Sequence, residues 1–380
     1  MPDALPLVTI VTPSFNQAAF LRETIESVLA QDYPRVEYLV MDGGSTDGSV
    51  EIIRAYASRL TYWQSERDAG QADAINKGWQ RGRGEIVSYL NSDDTLHPAA
   101  VRLSVEALSK NPDAGFSYGA CAWMDEHSKR TGVIEAKNFT LADLLLQNRF
   151  AQPGVFVRRA ALERVGMLDV SMHYLMDYDL WLRLALYYPA ARVPEIIANF
   201  RLHDDSKTAS RYKFFLDDNL RLLDKAFADP AFPLELKPMR TRAENYAFVL
   251  TALHCYSLGR REDGRELMTR FFETQSEPLA YPQDLVALFA NHLVHIAPLR
   301  QTRNDSSQEW LDAILNDLPA PAQSMRALRS QILAQANLSW GFAAHKQGNR
   351  SNARKFMLRA LQYHPAHARN RGVWSVLVKA

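Results

Sequence analysis

The sequence predicts an α/β domain on a mainly parallel sheet over residues 1–210, followed by a smaller all-α domain over residues 211–380. Three observations predict it. The first 125 residues alternate strand-length apolar runs with amphipathic helical stretches. Strand-like runs disappear beyond residue 211, where helical stretches are divided by Pro-rich breaks. At 380 residues the chain exceeds the size at which one hydrophobic core usually stops growing.

Each element follows from local pattern. Leu7 to Val11, Val36 to Met41, Leu60 to Trp63 and Glu85 to Leu90 have strand length and β-branched or aromatic content. Leu21, Ile25, Val28 and Leu29 share one helical face, and Val50, Ile52, Ile53 and Tyr56 another. Strands joined through helices build a parallel sheet covered on both faces. From residue 112 the pattern changes to an apolar-aromatic strand at Gly115 to Trp123, a turn at His127 to Thr131 and a strand at Gly132 to Ala136. Thr140 is placed to cap a helix over Leu141 to Gln147, and Gln152-Pro153-Gly154 breaks the chain before a short strand at Val155 to Val157. A helix starting near Asp177 carries Leu180, Trp181, Leu184 and Ala185 and ends before Pro189; Ile196 to Leu202 then closes the unit at His203. Trp181 shares its face with Leu184 and Ala185, which makes it a core residue rather than a sugar platform. Beyond 211, Asn245 to Leu258 and Ser339 to Tyr363 are helical, with breaks at Asp229 to Pro238 and Leu318 to Gln323. Gly341, Ala353, Ala360 and Pro365 fall at the spacing of small and terminating residues in a tetratricopeptide repeat, which this stretch resembles; Ala252 to Phe272 is a weaker copy.

Composition excludes several classes. With 47% apolar and 23% charged residues, the chain is not disordered, collagen-like or a disulfide scaffold. Cys121 and Cys255 have apolar neighbours and no second Cys or His at zinc-ligand spacing, so they read as buried thiols in a reducing, cytoplasmic compartment. The net charge of +1 conceals an asymmetry: residues 1–210 hold 21 Lys/Arg and 27 Asp/Glu, and residues 211–380 hold 23 and 16, giving −6 and +7. Asp317 is the last carboxylate, and ten Lys/Arg follow it. The acidic half does not suggest nucleic acid; the basic end suits peripheral contact with an anionic membrane or a protein partner, and its plainer reading is a solvated helical surface. Neither a signal peptide nor a transmembrane segment is expected.

In parallel α/β sheets, ligands bind beyond the carboxyl ends of the strands. Those ends here are Pro13-Ser14-Phe15-Asn16, Asp42-Gly43-Gly44-Ser45-Thr46-Asp47-Gly48, Arg67-Asp68-Ala69-Gly70 and Asn91-Ser92-Asp93-Asp94. The plainer reading makes Asn16, Ser45, Asp47 and Asp94 turn and cap residues. Adjacent carboxylates at a strand end, however, need a cation or strong donors, and Mg²⁺ or Mn²⁺ held by one or two carboxylates completes its shell with phosphate oxygens. That points to a diphosphate ligand. The absence of Gly-x-x-x-x-Gly-Lys-[Ser/Thr] and Gly-x-Gly-x-x-Gly sequences removes P-loop ATPases and dinucleotide oxidoreductases.

Taken in order, Thr12-Pro13-Ser14-Phe15-Asn16, Asp42 to Gly48, Asp73-Ala74-Ile75-Asn76-Lys77-Gly78, Leu90 to Asp94 and Asp177-Tyr178-Asp179-Leu180-Trp181 resemble the motif series of family-2 glycosyltransferases of the GT-A type. The resemblance covers residues 7 to about 205. It implies an inverting transfer of a sugar from a nucleotide-diphosphate-sugar, with UDP-sugars favoured, to a carbohydrate or lipid-linked saccharide in surface polysaccharide or glycolipid synthesis. Pro13, Phe15, Asn16 and Asp42 are then expected around the base and ribose, with Asp68, Lys77, Asn91 and Ser92 lining the donor pocket. Asp73 and Lys77 also form an i,i+4 pair, for which a surface ion pair is the plainer role. Asn91 replaces the first Asp of the family's Asp-x-Asp motif, which shifts metal binding to Asp93 and Asp94, with His203 approaching the same Mn²⁺ or Mg²⁺. Asp177 is the expected base and Asp179 its competitor, since Met176 stands where the family usually has Glu. Gln152 and Pro153 are expected to border the acceptor. The rival readings are a nucleotidyltransferase, which needs a basic phosphate-gripping loop that Pro13 to Gln17 lacks, and a non-catalytic sugar-nucleotide scaffold with a helical partner-binding domain.

Overall fold

The computed structural model describes residues 5–203, 214–275, 280–295 and 306–379. Two compact units are formed: Met1–Ser210 with Arg221–Lys237, and Arg211–Leu220 with Pro238–Ala380. The boundary expected at residue 210 itself lies outside the described residues.

The first unit opens with β1 (Val8–Ser14), α1 (Ala18–Leu29), β2 (Val36–Asp42), α2 (Ser49–Tyr56), β3 (Tyr62–Ser65), α3 (Gln71–Arg81) and β4 (Ile86–Tyr89). These four strands pair in parallel in the order β3-β2-β1-β4. Every residue of β1 is buried, as a strand covered on both faces requires. Val8, Ile10, Leu21, Ile25, Val28, Val40 and Ile53 belong to one buried apolar cluster. Each such side chain contributes about 1.5–3 kcal/mol on leaving water. Gly78 lets α3 lie against β1: a Cβ there would come within 2.5 Å of Val11 Cγ1.

Antiparallel ladders extend this parallel core. β5 (Thr95–Leu96), α4 (Ala100–Lys110), β6 (Phe116–Met124), β7 (Arg130–Ile134), α5 (Leu141–Leu146), β8 (Val155–Arg158), α6 (Arg159–Val165), α7 (Met176–Tyr187) and β9 (Ala190–Arg201) follow in sequence. β8 joins β4 to β6, β9 runs parallel to β6, and β5 and β7 pair antiparallel with β9 and β6. Thr140 caps α5 in a reciprocal capping box with Asp143. Trp181 is 1% exposed and stacks on Phe116, so it is part of the core. Cys121 and Cys255 are both buried free thiols.

The second unit is helical. Its described helices include α9 (Arg240–Ser257), α10 (Arg261–Thr274), α11 (Pro282–His295), α12 (Ser306–Asp317), α13 (Arg329–Lys346), α14 (Arg350–Tyr363) and α15 (Arg371–Lys379); α8 (Phe215–Ala228) precedes them. The stretch Ser339 to Tyr363 is divided between α13 and α14 by a turn in which Gly348 takes φ 76°. A matching turn with Gly259 at φ 73° joins α9 to α10. Ala353, Met357 and Ala360 of α14 are fully buried with Val373 and Val376 of α15. No described helix is long and apolar enough to cross a membrane.

Candidate active site

The loops after β1 and β2 are clasped to each other. Asn16, at φ 53°, accepts the Thr46 N–H at 2.9 Å, while its own N–H donates to Ser45 Oγ at 2.8 Å. Asp47 accepts Ala18 N–H at 2.8 Å, at the start of α1, and Ser49 N–H at 3.0 Å, at the start of α2. The cap residues anticipated from the sequence therefore act largely across the two loops. These hydrogen bonds hold the Asp47 carboxyl below the usual carboxylate range despite some burial. Asp42, 2% exposed, accepts from Gly44 N–H at 3.1 Å, Ser45 N–H at 2.9 Å, Ser45 Oγ at 2.6 Å and Ser65 Oγ at 2.7 Å. It is the hub that shapes this wall. Pro13 is buried, whereas Phe15 projects with 61% of its surface exposed. Asp68 lies against Gly43, whose hydrogen leaves room where a Cβ would sit 2.9 Å from Asp68 Oδ2. Lys77 pairs with Asp73 at 2.9 Å, the surface ion pair its spacing suggests.

The Asn91 to Asp94 turn divides its carboxylates between two roles. Asp94 is 1% exposed; its Oδ1 accepts Arg201 N–H at 2.8 Å and its Oδ2 faces Asn91 Nδ2 at 3.4 Å. Burial, with the Asp93 charge beside it, pushes its carboxyl well above the usual value. Asp93 keeps a partly exposed side chain and lies 3.0 Å from His203 Nε2. The β5–β9 register explains this meeting: Thr95 pairs with Asn199, so the antiparallel ladder carries β9 back past Asp93 and on to His203. The imidazole is fixed by Phe20, 4.9 Å away between ring centroids. Asn91 also contacts Gln152 Oε1 at 3.3 Å and accepts from Gln71 Nε2 at 2.7 Å, and Gln152 donates to the Tyr89 carbonyl at 2.7 Å. Ser92 is buried in the same turn.

Arg201, which local pattern did not single out, holds this region together at 1% exposure. Its guanidinium donates to the Asp93 carbonyl at 2.7 Å, the Asp125 carbonyl at 3.1 Å, Ser128 Oγ at 2.9 Å and Glu23 Oε2 at 2.6 Å, and lies 4.6 Å from the Phe20 ring centroid. A buried guanidinium needs its donors occupied, and four hydrogen bonds are made here.

The two aspartates on α7 have separate environments. Asp179 is 1% exposed and pairs with Arg183 at 2.9 Å and Lys225 at 2.6 Å. Lys225 also reaches Asp169, whose carboxyl is lowered to about 2, its hydrogen bonds and the lysine charge outweighing burial. The Asp179–Arg183 i,i+4 spacing was a signal for this role in the sequence. Asp177 accepts the Tyr178 N–H at 2.8 Å, and burial raises its carboxyl to about 6. The buried Tyr89 hydroxyl is pushed up by burial first, then by the charges of Asp177 and Asp94. Asp177 on α7 and Asp94 in the turn after β4 thus act on one side chain.

A carboxylate oxygen and an imidazole nitrogen 3.0 Å apart suit a divalent ion that completes its shell with substrate oxygens. Among the described residues no group of three or more His, Cys, Asp or Glu side chains gathers to hold a metal. Asp93 and His203 meet as a pair, and Asp94 is held separately by the Arg201 N–H.

The Glycosyl transferase family 2 model matches residues 9–166. An uncharacterized glycosyltransferase of Mycobacterium tuberculosis is 31% identical over 202 residues, covering 51% of this chain and 75% of that protein. The chain belongs to glycosyltransferase family 2. A second relative within the family's reach, the putative teichuronic acid biosynthesis glycosyltransferase TuaG of Bacillus subtilis, is 27% identical over 218 residues, 56% of this chain and 86% of that one. The match spans 66% of a Rickettsia typhi glycosyltransferase and 35% of one from Rickettsia felis. Among solved structures, the mannosyltransferase PcManGT of Pyrobaculum calidifontis, in complex with GDP-Man and Mn²⁺, superposes with TM-score 0.51 at 17% identity over 89% of this chain and 88% of that one. That likeness is one of fold. The family-2 domain accordingly has the GT-A type architecture: a mixed α/β sheet, parallel through β1 to β4, followed by helices.

Proposed function

We propose that the chain is an inverting glycosyltransferase that moves a sugar from a nucleotide-diphosphate-sugar, a UDP-sugar by preference, to an acceptor hydroxyl in surface polysaccharide or glycolipid synthesis. The observation that carries the reading is Asp177: a carboxyl raised to about 6 by burial, outside the ion pairs of Asp179, whose charge acts on the same Tyr89 hydroxyl as that of Asp94. Such a group is ionised at neutral pH yet basic enough to take a proton as it leaves an acceptor hydroxyl. The acceptor oxygen bonds to the anomeric carbon, the bond from that carbon to the diphosphate oxygen breaks, the hydroxyl proton passes to Asp177, and the electron pair departs with the nucleoside diphosphate. No enzyme nucleophile is required.

The Asn16–Ser45–Asp42 wall supports a preformed seat for the base and ribose, with exposed Phe15 at its edge. Asp93 and His203 are the residues that would hold Mn²⁺ or Mg²⁺, which when bound neutralises charge on the diphosphate. Buried Gln152, bonded to the half-buried Asn91, supports a floor between donor and acceptor. The name of TuaG supports a surface-polysaccharide product. In the helical unit, exposed Leu358, Trp374 and Val378 beside exposed Arg354, Arg359 and Arg371 support peripheral contact with an anionic membrane carrying a lipid-linked acceptor.

The test is nucleotide release from UDP-, GDP- and dTDP-sugars with Mn²⁺ or Mg²⁺ and a saccharide acceptor. Asp177→Asn and Asp93→Ala are expected to lower the rate at least a hundredfold. Full activity in both variants would refute the assignment.

A further inference from the structure

A cavity of about 200 Å³ lies within the helical unit, at the bend between α9 and α10 and against α12. Tyr256, Ser257, Arg261, Trp310, Ile314 and Asp317 line it. Its polar groups are incompletely satisfied. Tyr256 is 5% exposed and its hydroxyl has no hydrogen-bond partner. Asp317 Oδ2 is likewise buried without one, while Asp317 Oδ1 stands 3.9 Å from Arg265, at the limit of an ion pair. Leaving such groups unpaired is destabilising, more so for a charge. The Tyr256 ring is wedged in place by the backbone of α10: a Cβ on Gly264 would come within 2.9 Å of it. Trp310 is fixed by stacking on His292, with centroids 5.3 Å apart and planes 17° apart.

The wall therefore presents an acceptor at Asp317, a donor-acceptor hydroxyl at Tyr256 and guanidinium donors at Arg261, facing the apolar surfaces of Trp310 and Ile314. A pyranose matches that division, with hydroxyls that both donate and accept around its edge and C–H groups on its face. Arg265 beside the carboxylate and Arg261 in the lining disfavour a cationic ligand. The volume falls below the roughly 300–1,000 Å³ of sites for drug-sized ligands, which excludes a nucleotide-sugar. We propose that this cavity is a saccharide-binding subsite that takes one sugar residue, separate from the donor site. Its occupant is assigned to the acceptor chain, a step that rests on the glycosyl-transfer reading; the binding of sugar does not.

The experiment uses the full chain and ligand-observed saturation-transfer NMR with glucose, galactose, mannose, N-acetylglucosamine and N-acetylgalactosamine. At least one sugar is expected to bind both the wild type and Asp93→Ala, and to bind at least tenfold more weakly to Tyr256→Phe and to Asp317→Asn. Tyr256→Phe removes only a hydroxyl that has no partner in the sugar-free protein, so its thermal midpoint is expected to equal or exceed that of the wild type. Asp317→Asn keeps the side-chain shape and serves as the second probe. Binding by none of the sugars, or equal binding by wild type and both variants, overturns the proposal. A more stable Tyr256→Phe with unchanged sugar binding means that the cavity holds water only and overturns it as well. Donor-dependent transfer without sugar binding here overturns the subsite and leaves the catalytic reading standing. Sugar binding lost in these variants but no transfer from any donor upholds the subsite and removes the acceptor assignment.

Discussion

Replacing Asp177 with Asn is expected to abolish transfer and stabilise the protein, and the size of the gain follows from its surroundings. Burial raises the carboxyl from 3.8 to about 6, so ionising it in the folded chain is harder than in the unfolded chain. A shift of about 2 units at 1.36 kcal/mol per unit gives about 3 kcal/mol. The residue retains a partly exposed surface, so solvent screening lowers the expected gain to about 1–2 kcal/mol. The sign follows from linkage. A raised folded-state value favours the folded state fully below pH 3.8, and that contribution is lost as pH rises through about 6. Asparagine does not titrate, and its side-chain oxygen can still accept the Tyr178 N–H. Urea unfolding of wild type and Asp177→Asn should therefore differ by about 1–2 kcal/mol at pH 8 and converge near pH 4. A gain of 1 kcal/mol corresponds to about 2–4 °C in thermal midpoint for a unit of this size. An equal difference at both pH values, or destabilisation at pH 8, would refute the burial argument.

Four further outcomes are expected. The wild-type kcat/KM should fall about tenfold per pH unit below about 6, as a single proton blocks the base; a flat profile down to pH 5 would remove Asp177 from that role. His203→Gln should raise the Mn²⁺ concentration for half-maximal rate at least tenfold, and chelation should stop the wild-type reaction; activity indifferent to both would leave the Asp93–His203 pair structural. Gly78→Ala should cost about 1–3 kcal/mol in urea unfolding, because the added methyl would meet Val11 at 2.5 Å; no loss would mean that α3 can lift from β1. Neutralising Arg350, Arg354, Lys355 and Arg359 together should abolish binding to vesicles containing phosphatidylserine, and absence of binding by the wild type would end the membrane reading.

The parallel half of the sheet was legible because β1, β2 and β4 are apolar runs separated by amphipathic helices. β9 was legible only from Ile196, although it begins at Ala190. The register against β6 steps from Val193 opposite Gly119 to Ile196 opposite Ala120, so Pro194 and Glu195 fall in an irregularity that hides the strand from local pattern. β5 has two residues, too few for any periodicity. The site was legible as residue types at strand ends, but its division of labour was not. Asp42 turns its carboxylate into its own loop, and Asp94 is held by the Arg201 N–H from more than a hundred residues away. Asp177 and Asp179 look alike at a helix start; Lys225, far along the chain, separates them.

The Arg201 guanidinium also has a bearing on the order in which the domain is made. As the chain leaves the ribosome, β1 to β4 emerge with their helices and can pair at once, whereas the turn at Asp93 and Asp94 waits for residue 201. Until then Glu23, the Asp93 and Asp125 carbonyls and the Asp94 carboxyl have no arginine to meet. The last described strand of the sheet thus works as a keystone: a chain that ends before it lacks every Arg201 contact to the Asp93–Asp94 turn.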